Sequence, residues 1–353
     1  MITHLNISSF KSLLEFDQPI RPLTVFTGLN SSGKSTILQA VRMLNNVFIN
    51  HEPFIEKFGS YDELIYKSQT SGISYVDKDI NITARYLGEY DLYLTIDEEG
   101  IPNFQNGGDL FFSLSYLSAD RLGPQLHLPI SYKTPNEFDV GEKGQYVADC
   151  LFRFRDSLIP ESLQHKTSQG ETLSYNVQAW LDIISPGFEL SAERYSKQDI
   201  SCITFNDFRP MNVGFGLSYT LPVIVSLLGL PAIELEDEYT GWRVLLLENP
   251  EAHLHPKGQT ELGKLIACSA AAGLQIFVET HSDYIIDGIR LGMLENLIPS
   301  EDVIFLHCSI SKDRVTEVEQ IIPNSHGKLS RWPADFFDQN RINKAKLAGI
   351  KND

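Results

Sequence analysis

Leu23-Thr24-Val25-Phe26-Thr27-Gly28-Leu29-Asn30-Ser31-Ser32-Gly33-Lys34-Ser35-Thr36 runs from an apolar strand-like segment through a glycine-bounded turn into a helix-compatible stretch, Ser35 to Asn46. The turn carries the spacing GxxxxGK[ST], and a strand before it and a helix after it are the context that gives this spacing physical meaning. Glycines let the backbone curl so that amide N–H groups converge on phosphate oxygens, while the helix N-terminus adds a favourable dipole. A nucleoside triphosphate fits this cradle. Asn30, Ser31, Ser32, Gly33 and Thr36 surround its phosphates, Lys34 neutralises the β- and γ-phosphates, and Ser35 offers its hydroxyl to Mg2+, a hard cation that prefers oxygen ligands.

Further apolar runs at Val244 to Leu247, Gln275 to Val278 and Val303 to His307, the first two followed like Leu23 to Thr27 by helix-like segments, predict an α/β fold with a parallel core. Residues of about 50 to 210 read differently. Alternating strands near Ile80 to Ile96 and Phe111 to Leu117 give way to turn-rich segments, with helices expected from Gly144 to Arg155 and from Leu173 to Ile184. The chain is therefore expected to be one unit of residues 1–353. Its core, residues 1–50 and 205–353, would be split by an antiparallel β lobe and helical insertion over 51–205, which could act as a lid or arm.

Two other strand ends face the same ligand edge in such a sheet. Arg243-Val244-Leu245-Leu246-Leu247-Glu248-Asn249-Pro250-Glu251-Ala252-His253-Leu254-His255-Pro256 ends its strand in an acid. A strand of this kind normally lies beside the phosphate-loop strand, so Glu248 is expected to reach the metal that Ser35 touches from the other side. Phe277-Val278-Glu279-Thr280-His281-Ser282 ends in a polar turn, and His281 can hydrogen-bond the γ-phosphate. His253, His255, Glu279, His281 and Asp283 also invite a metal-cluster reading, but their spacing matches no standard zinc motif.

Composition narrows the classes. With 29 basic and 46 acidic residues the net charge is −17, which repels phosphate backbones unless cations cluster locally, so general nucleic-acid coating is disfavoured. Cys150, Cys202, Cys268 and Cys308 form no CxxC pair, which argues against a disulfide framework and fits a reducing cytoplasm. The opening residues read as a strand and not as a secretory signal. Leu217 to Ile233 is apolar but is broken by Pro222 and Pro231, so a buried core helix is expected there and no membrane partner. Glu234 to Glu238 reads as a solvated loop, and Lys328, Arg331, Arg341, Lys344, Lys346 and Lys351 make a basic tail.

Taken together these segments resemble the ABC-type ATPases of the SMC and RecF kind, and most closely the OLD-like ATPases of prokaryotic antiphage defence. The resemblance is carried by Leu5-Asn6-Ile7-Ser8-Ser9-Phe10-Lys11-Ser12-Leu13, the phosphate loop, Glu248 to Pro256 and Glu279 to Ser282. Asn212-Val213-Gly214-Phe215-Gly216-Leu217-Ser218 looks like a degenerate signature motif. Ser118-Ala119-Asp120-Arg121-Leu122-Gly123-Pro124 and Trp332 to Asp338 look like elements of a stand-alone branch.

The resemblance implies an ABC/SMC-type head, a mixed sheet with flanking helices, that binds ATP and Mg2+, with Lys11 and Ser12 joining the nucleotide site. It further implies that the signature motif of one subunit closes over the γ-phosphate held by another, here through Gly214, Gly216 and Ser218. Small residues at a helix start let amides and a dipole approach an anion, although the same glycines can merely turn the chain before a core helix. ABC ATPases usually place a glutamate after the metal-linked acid, whereas this chain has Asn249. An amide orients water but accepts no proton, so slow hydrolysis is expected, with Glu251 as a possible substitute.

OLD proteins proper carry a Toprim nuclease domain after the ATPase, and the expectation is a stand-alone form without one. The leading reading is an ATP-gated sensor or scaffold that forms a homo-dimer or higher oligomer and regulates a separate effector, with nucleic acid reached directly or through partners. The alternatives are a RecF/SMC-like DNA-processing ATPase and a structural head that never hydrolyses.

Overall fold

The computed structural model describes residues 1–67, 78–86, 90–108, 111–134, 136–233, 240–332, 343 and 347. In chain order, β1 (Ile2–Phe10), β2 (Leu13–Pro19) and β3 (Leu23–Thr27) lead into α1 (Lys34–Asn50) and the short α2 (Tyr61–Leu64). Next come β4 (Ile80–Tyr86), β5 (Tyr90–Ile96), β6 (Pro102–Asn106), β7 (Phe111–Leu117) and β8 (Leu128–Pro129). Helices α3 (Val147–Phe154) and α4 (Leu173–Ile184) precede β9 (Leu190–Tyr195), β10 (Ile200–Phe205) and α5 (Phe215–Ala232). The chain continues through β11 (Thr240–Glu248), α6 (Pro256–Ala271), β12 (Gln275–Glu279), α7 (Asp283–Leu294), β13 (Val303–Ile310) and β14 (Thr316–Ile321).

Three sheets form, in the orders β2-β1-β4-β5-β6, β8-β10-β9 and β14-β13-β3-β12-β11-β7. In the last, β13, β3, β12, β11 and β7 are mutually parallel and β14 is antiparallel to β13. This is the mixed α/β sheet that the apolar runs imply. Successive strand residues face opposite sides, so each central strand feeds two cores. Val25, Leu245, Leu247, Ile276 and Val278 pack into one cluster with α3, α4, α5, α6 and α7. Phe26, Val244, Leu246 and Phe277 pack into the other, with α1 and the antiparallel β1, β2, β4 and β5.

Three expectations change. The order places β12 between β3 and β11, so the Glu248 strand does not neighbour the phosphate-loop strand. Hydrophobic periodicity marks a strand's existence, whereas its neighbours are chosen by long-range pairing. The division at residues 50 and 205 also differs from the pairing: β1 and β2 join the antiparallel sheet through β4, and β7 joins the core sheet through β11. Finally, Leu173, Val177 and Leu181 of α4 are buried in the same cluster as Leu262 and Ile266 of α6, so α3 and α4 are packed core helices and not an arm.

Helix α5 has the length and hydropathy to cross a membrane. Twelve of its residues, Pro222 among them, are buried in the fold, where it packs on α3, α4 and α6. Glu234 to Glu238, Arg341, Lys344, Lys346, Lys351 and Pro333 to Asp338 lie outside the described residues.

Candidate functional site

Strand β3 is fully buried and ends at Thr27, so the chain leaves it at the carboxyl edge of the sheet. Gly28 (φ 130°) and Gly33 (φ 100°) adopt backbone conformations that L side chains rarely take. Space is also refused to a side chain there: a Cβ on Gly28 would sit 2.0 Å from the Cys308 carbonyl oxygen. The turn wraps the ammonium of Lys34, which donates to the carbonyls of Gly28 (3.0 Å) and Leu29 (2.8 Å). Burial holds the Lys34 pKa down, and the nearby Glu279 pulls it partly back.

The acid that meets Ser35 is Glu279. Ser35 Oγ donates to Glu279 Oε2 at 2.8 Å, and Lys34 Nζ lies 3.8 Å from Glu279 Oε1. Burial raises the Glu279 pKa, and the Ser35 bond and the Lys34 charge oppose the rise. Glu248 is its register partner on β11 but turns the other way, accepting from the backbone N–H of Ala119 at 3.1 Å. The expected Ser35–Glu248 approach is therefore replaced by Ser35–Glu279, because β12 is the strand beside β3. A serine hydroxyl next to a carboxylate suits a hard divalent cation. The buried Asn249 Oδ1, which has no hydrogen-bond partner, is a further oxygen at this edge. These residues fit Mg2+: Ser35 and Glu279 would hold it, and Glu248 lies one strand away.

A cleft of about 460 Å³ opens here, lined by Ser12, Asn30, Ser31, Gly33, Lys34, Ser35, Thr36, Asn249, Glu279 and His281. Asn249 takes a left-handed conformation (φ 43°) and its N–H donates to the Glu279 carbonyl at 2.8 Å. Glu251 has one oxygen on the Thr280 hydroxyl and the other on the His281 N–H, both at 2.8 Å. Burial raises its pKa. With both oxygens engaged, Glu251 ties the turn after β11 to the turn after β12 and is poorly placed to serve as a substitute base. His281 stands at the cleft with its pKa lowered by burial and then by Lys34, which favours the neutral imidazole as a phosphate hydrogen-bond donor.

Arg121 is the largest fully enclosed side chain, 2% exposed. Its guanidinium donates to the carbonyls of Ser118 (2.9 Å), Glu248 (2.7 Å) and Asn249 (2.7 Å). Nothing in its sequence neighbourhood marks it as buried. Glu279 was legible only as an acid ending an apolar strand, the same signal as Glu248.

Other sequence candidates are dispersed. Ser12 reaches the cleft, but Lys11 points to Gln39 and lies over the Phe58 ring at 5.5 Å. Ser32 Oγ is buried without a partner. Gly214 caps α5, while Ser218 lines a separate small pocket with Leu122, Gly123 and Leu128. His253 packs against Tyr219 with ring centroids 4.5 Å apart, and His255 caps α6 by accepting from the Lys257 N–H. Neither of these two histidines lines the cleft with His281.

The strand that leads into Lys34 and both acid-bearing strands end on one edge of a sheet backed by α1, and this fold is similar to that of SMC heads. An SMC head bound to the C-terminal winged-helix domain of ScpA matches with a TM-score of 0.56 at 14% identity, covering 91% of this chain and 98% of that one. The fold is of the ABC/SMC head type. An SMC head with an extended coiled coil, bound to the C-terminal domain of ScpA and derived from Pyrococcus furiosus, superposes with a TM-score of 0.52 at 12% identity over 99% of both chains. The head from Thermotoga maritima gives 0.50 at 12%, over 90% of this chain and 98% of that one.

Residues 160–287 of this chain match a family described as "AAA domain, putative AbiEii toxin, Type IV TA system". Residues 298–347 match "Protein of unknown function (DUF3696)". The "OLD nuclease" of Thermus scotoductus (strain ATCC 700910 / SA-01) is 24% identical over 83% of this chain. The chain spans 61% of the length of that relative.

Proposed function

We propose that this chain binds ATP with Mg2+, hydrolyses it slowly, and closes head to head against a second copy of itself. The observation that carries the reading is the separation of two groups of residues. The cleft gathers the phosphate loop, Ser12, Asn249, Glu279 and His281, whereas Gly214 at the open start of α5 and Ser218 in its own pocket stand apart from it. A second chain would bring its own Gly214, Gly216 and Ser218 over the bound phosphates, where their backbone amides and the α5 dipole favour negative charge. Phe208, Met211 and Phe215 leave apolar surface exposed around that helix start, as an interface would use.

Slow turnover follows from Asn249, which orients water without accepting its proton, and from the engagement of both Glu251 oxygens. ATP then acts by favouring the closed dimer to the extent that it binds that state better. In this reading the dimer is a sensor or scaffold that regulates a separate effector in a prokaryotic antiphage defence system. The likeness to an OLD nuclease and the toxin–antitoxin description of the matched family support that setting.

The test is mass in solution. ATP with Mg2+ should raise it for the natural chain and leave Lys34→Ala unchanged; no rise in either protein sinks the proposal.

A further inference from the structure

We propose, building on that reading, that Arg121 is a positioning residue that holds Asn249 in its cleft-lining conformation and couples it to helix α5 of the same chain. Three observations converge. First, a buried guanidinium donates to the carbonyl of its own turn at Ser118 and to the two carbonyls that flank Asn249, those of Glu248 and of Asn249 itself. On the opposite side, the Asn249 N–H is held by the Glu279 carbonyl. A non-glycine residue at positive φ persists only where its surroundings over-determine it, and these contacts supply that constraint.

Second, the same cation faces α5. Its guanidinium carbon lies 5.8 Å from the Tyr219 ring centroid, and Tyr219 in turn packs on His253. A Cβ on Gly216 would sit 2.7 Å from the His253 carbonyl oxygen, so the helix start and the turn after β11 touch backbone to backbone. Third, no carboxylate lies within ion-pair distance of Arg121 among the described residues. Glu251 and Glu248 act on it only through space, and burial lowers its pKa. A side chain kept buried and charged in this way is organised around backbone carbonyls, which is how a fork of donors fixes a turn.

The consequence is a mechanical path within one chain. When α5 is drawn onto a partner's phosphate, Tyr219 and Gly216 move against the 248–253 turn, and Arg121 passes that shift to Asn249 in the chain's own cleft. Each site then senses whether its own chain is engaged across the interface.

The experiment measures nucleotide binding by titration and steady-state ATP hydrolysis per folded molecule for the natural chain, Arg121→Lys, Tyr219→Phe and Tyr219→Leu. Lysine keeps the charge but cannot fork to three carbonyls. Arg121→Lys is expected to keep nucleotide affinity within about twofold and to lose about tenfold or more in kcat, since small misplacement of a reacting group is costly. Tyr219→Leu should lose kcat in the same way, and Tyr219→Phe, which keeps the ring, should restore it. If the natural chain turns over and the Arg121→Lys kcat is unchanged, or falls only in step with affinity, the inference is overturned while the proposed function stands. A natural chain that neither binds nor hydrolyses ATP overturns both.

Discussion

Ser35 and Glu279, 244 positions apart, are joined by a 2.8 Å hydrogen bond from the serine hydroxyl to the carboxylate. That pairing puts the acid of β12, and not Glu248 of β11, beside the hydroxyl that would meet the cation. Glu279→Gln should therefore weaken ATP binding about tenfold or more in the presence of Mg2+, whereas Glu248→Gln should leave affinity within about threefold and act on turnover. Chelating Mg2+ should weaken binding by the natural chain and add little to the Glu279→Gln defect. A nucleotide titration with and without chelator reads both effects, and equal losses for the two variants would show that Glu248 serves the cation as much as Glu279 does.

The two glycines at the start of α5 should behave differently. Gly214 has an ordinary backbone conformation (φ −65°) and nothing within 4 Å of an added Cβ, while Gly216 has the His253 carbonyl at 2.7 Å. Gly214→Ala should fold with a melting temperature close to that of the natural chain, so any loss of the ATP-driven mass increase reports contact with the partner. Gly216→Ala should cost about 1–3 kcal/mol by overpacking, measured by denaturant unfolding.

Glu251 offers a test by pH. Its pKa is raised by burial above the ordinary 4.5, so protonation is favoured in the folded state. Its contribution to stability is complete below 4.5 and is lost as pH rises through the raised folded value. Glutamine does not titrate, so the stability advantage of the natural chain over Glu251→Gln should shrink between acid and neutral pH. Urea unfolding at a series of pH values checks this, and an advantage that grows with pH would contradict it.

Asp149 is a structural counterpart to Arg121. Its carboxylate is 0% exposed and lies 2.5 Å from Arg194 Nε and 3.5 Å from Arg153 Nη1. Removing it leaves Arg194 without its carboxylate and the Ser131 N–H without its acceptor, while Arg153 keeps the carbonyls of Thr134 and Glu137, so Asp149→Ala should destabilise the protein by about 3 kcal/mol. The measurement is the urea midpoint, with Asp156→Ala, an exposed aspartate, as the control expected to stay within about 0.5 kcal/mol.

Local chemistry was legible where local geometry makes it. The strand predicted over Leu23 to Thr27 spans β3, the helix expected from Leu173 to Ile184 is α4, and the core helix expected near Leu217 is α5. The phosphate loop could be read because its strand, turn and helix are contiguous and the turn's conformation depends on residues next to one another. Lys34, Ser35 and His281 stand at the cleft for the same reason: each sits at the end of an element whose direction the apolar pattern reveals.

The sequence by itself thus determined that a glycine-bounded GxxxxGK[ST] turn follows a buried strand, and that acids and a histidine end two more. Which acid meets Ser35 was decided by tertiary structure, because strand order is set by pairing between distant segments and β12 intervenes between β3 and β11. Arg121 lies wholly on the tertiary side. An arginine in a polar turn reads as exposed until three carbonyls from two separate segments converge on it, and only the folded chain supplies them.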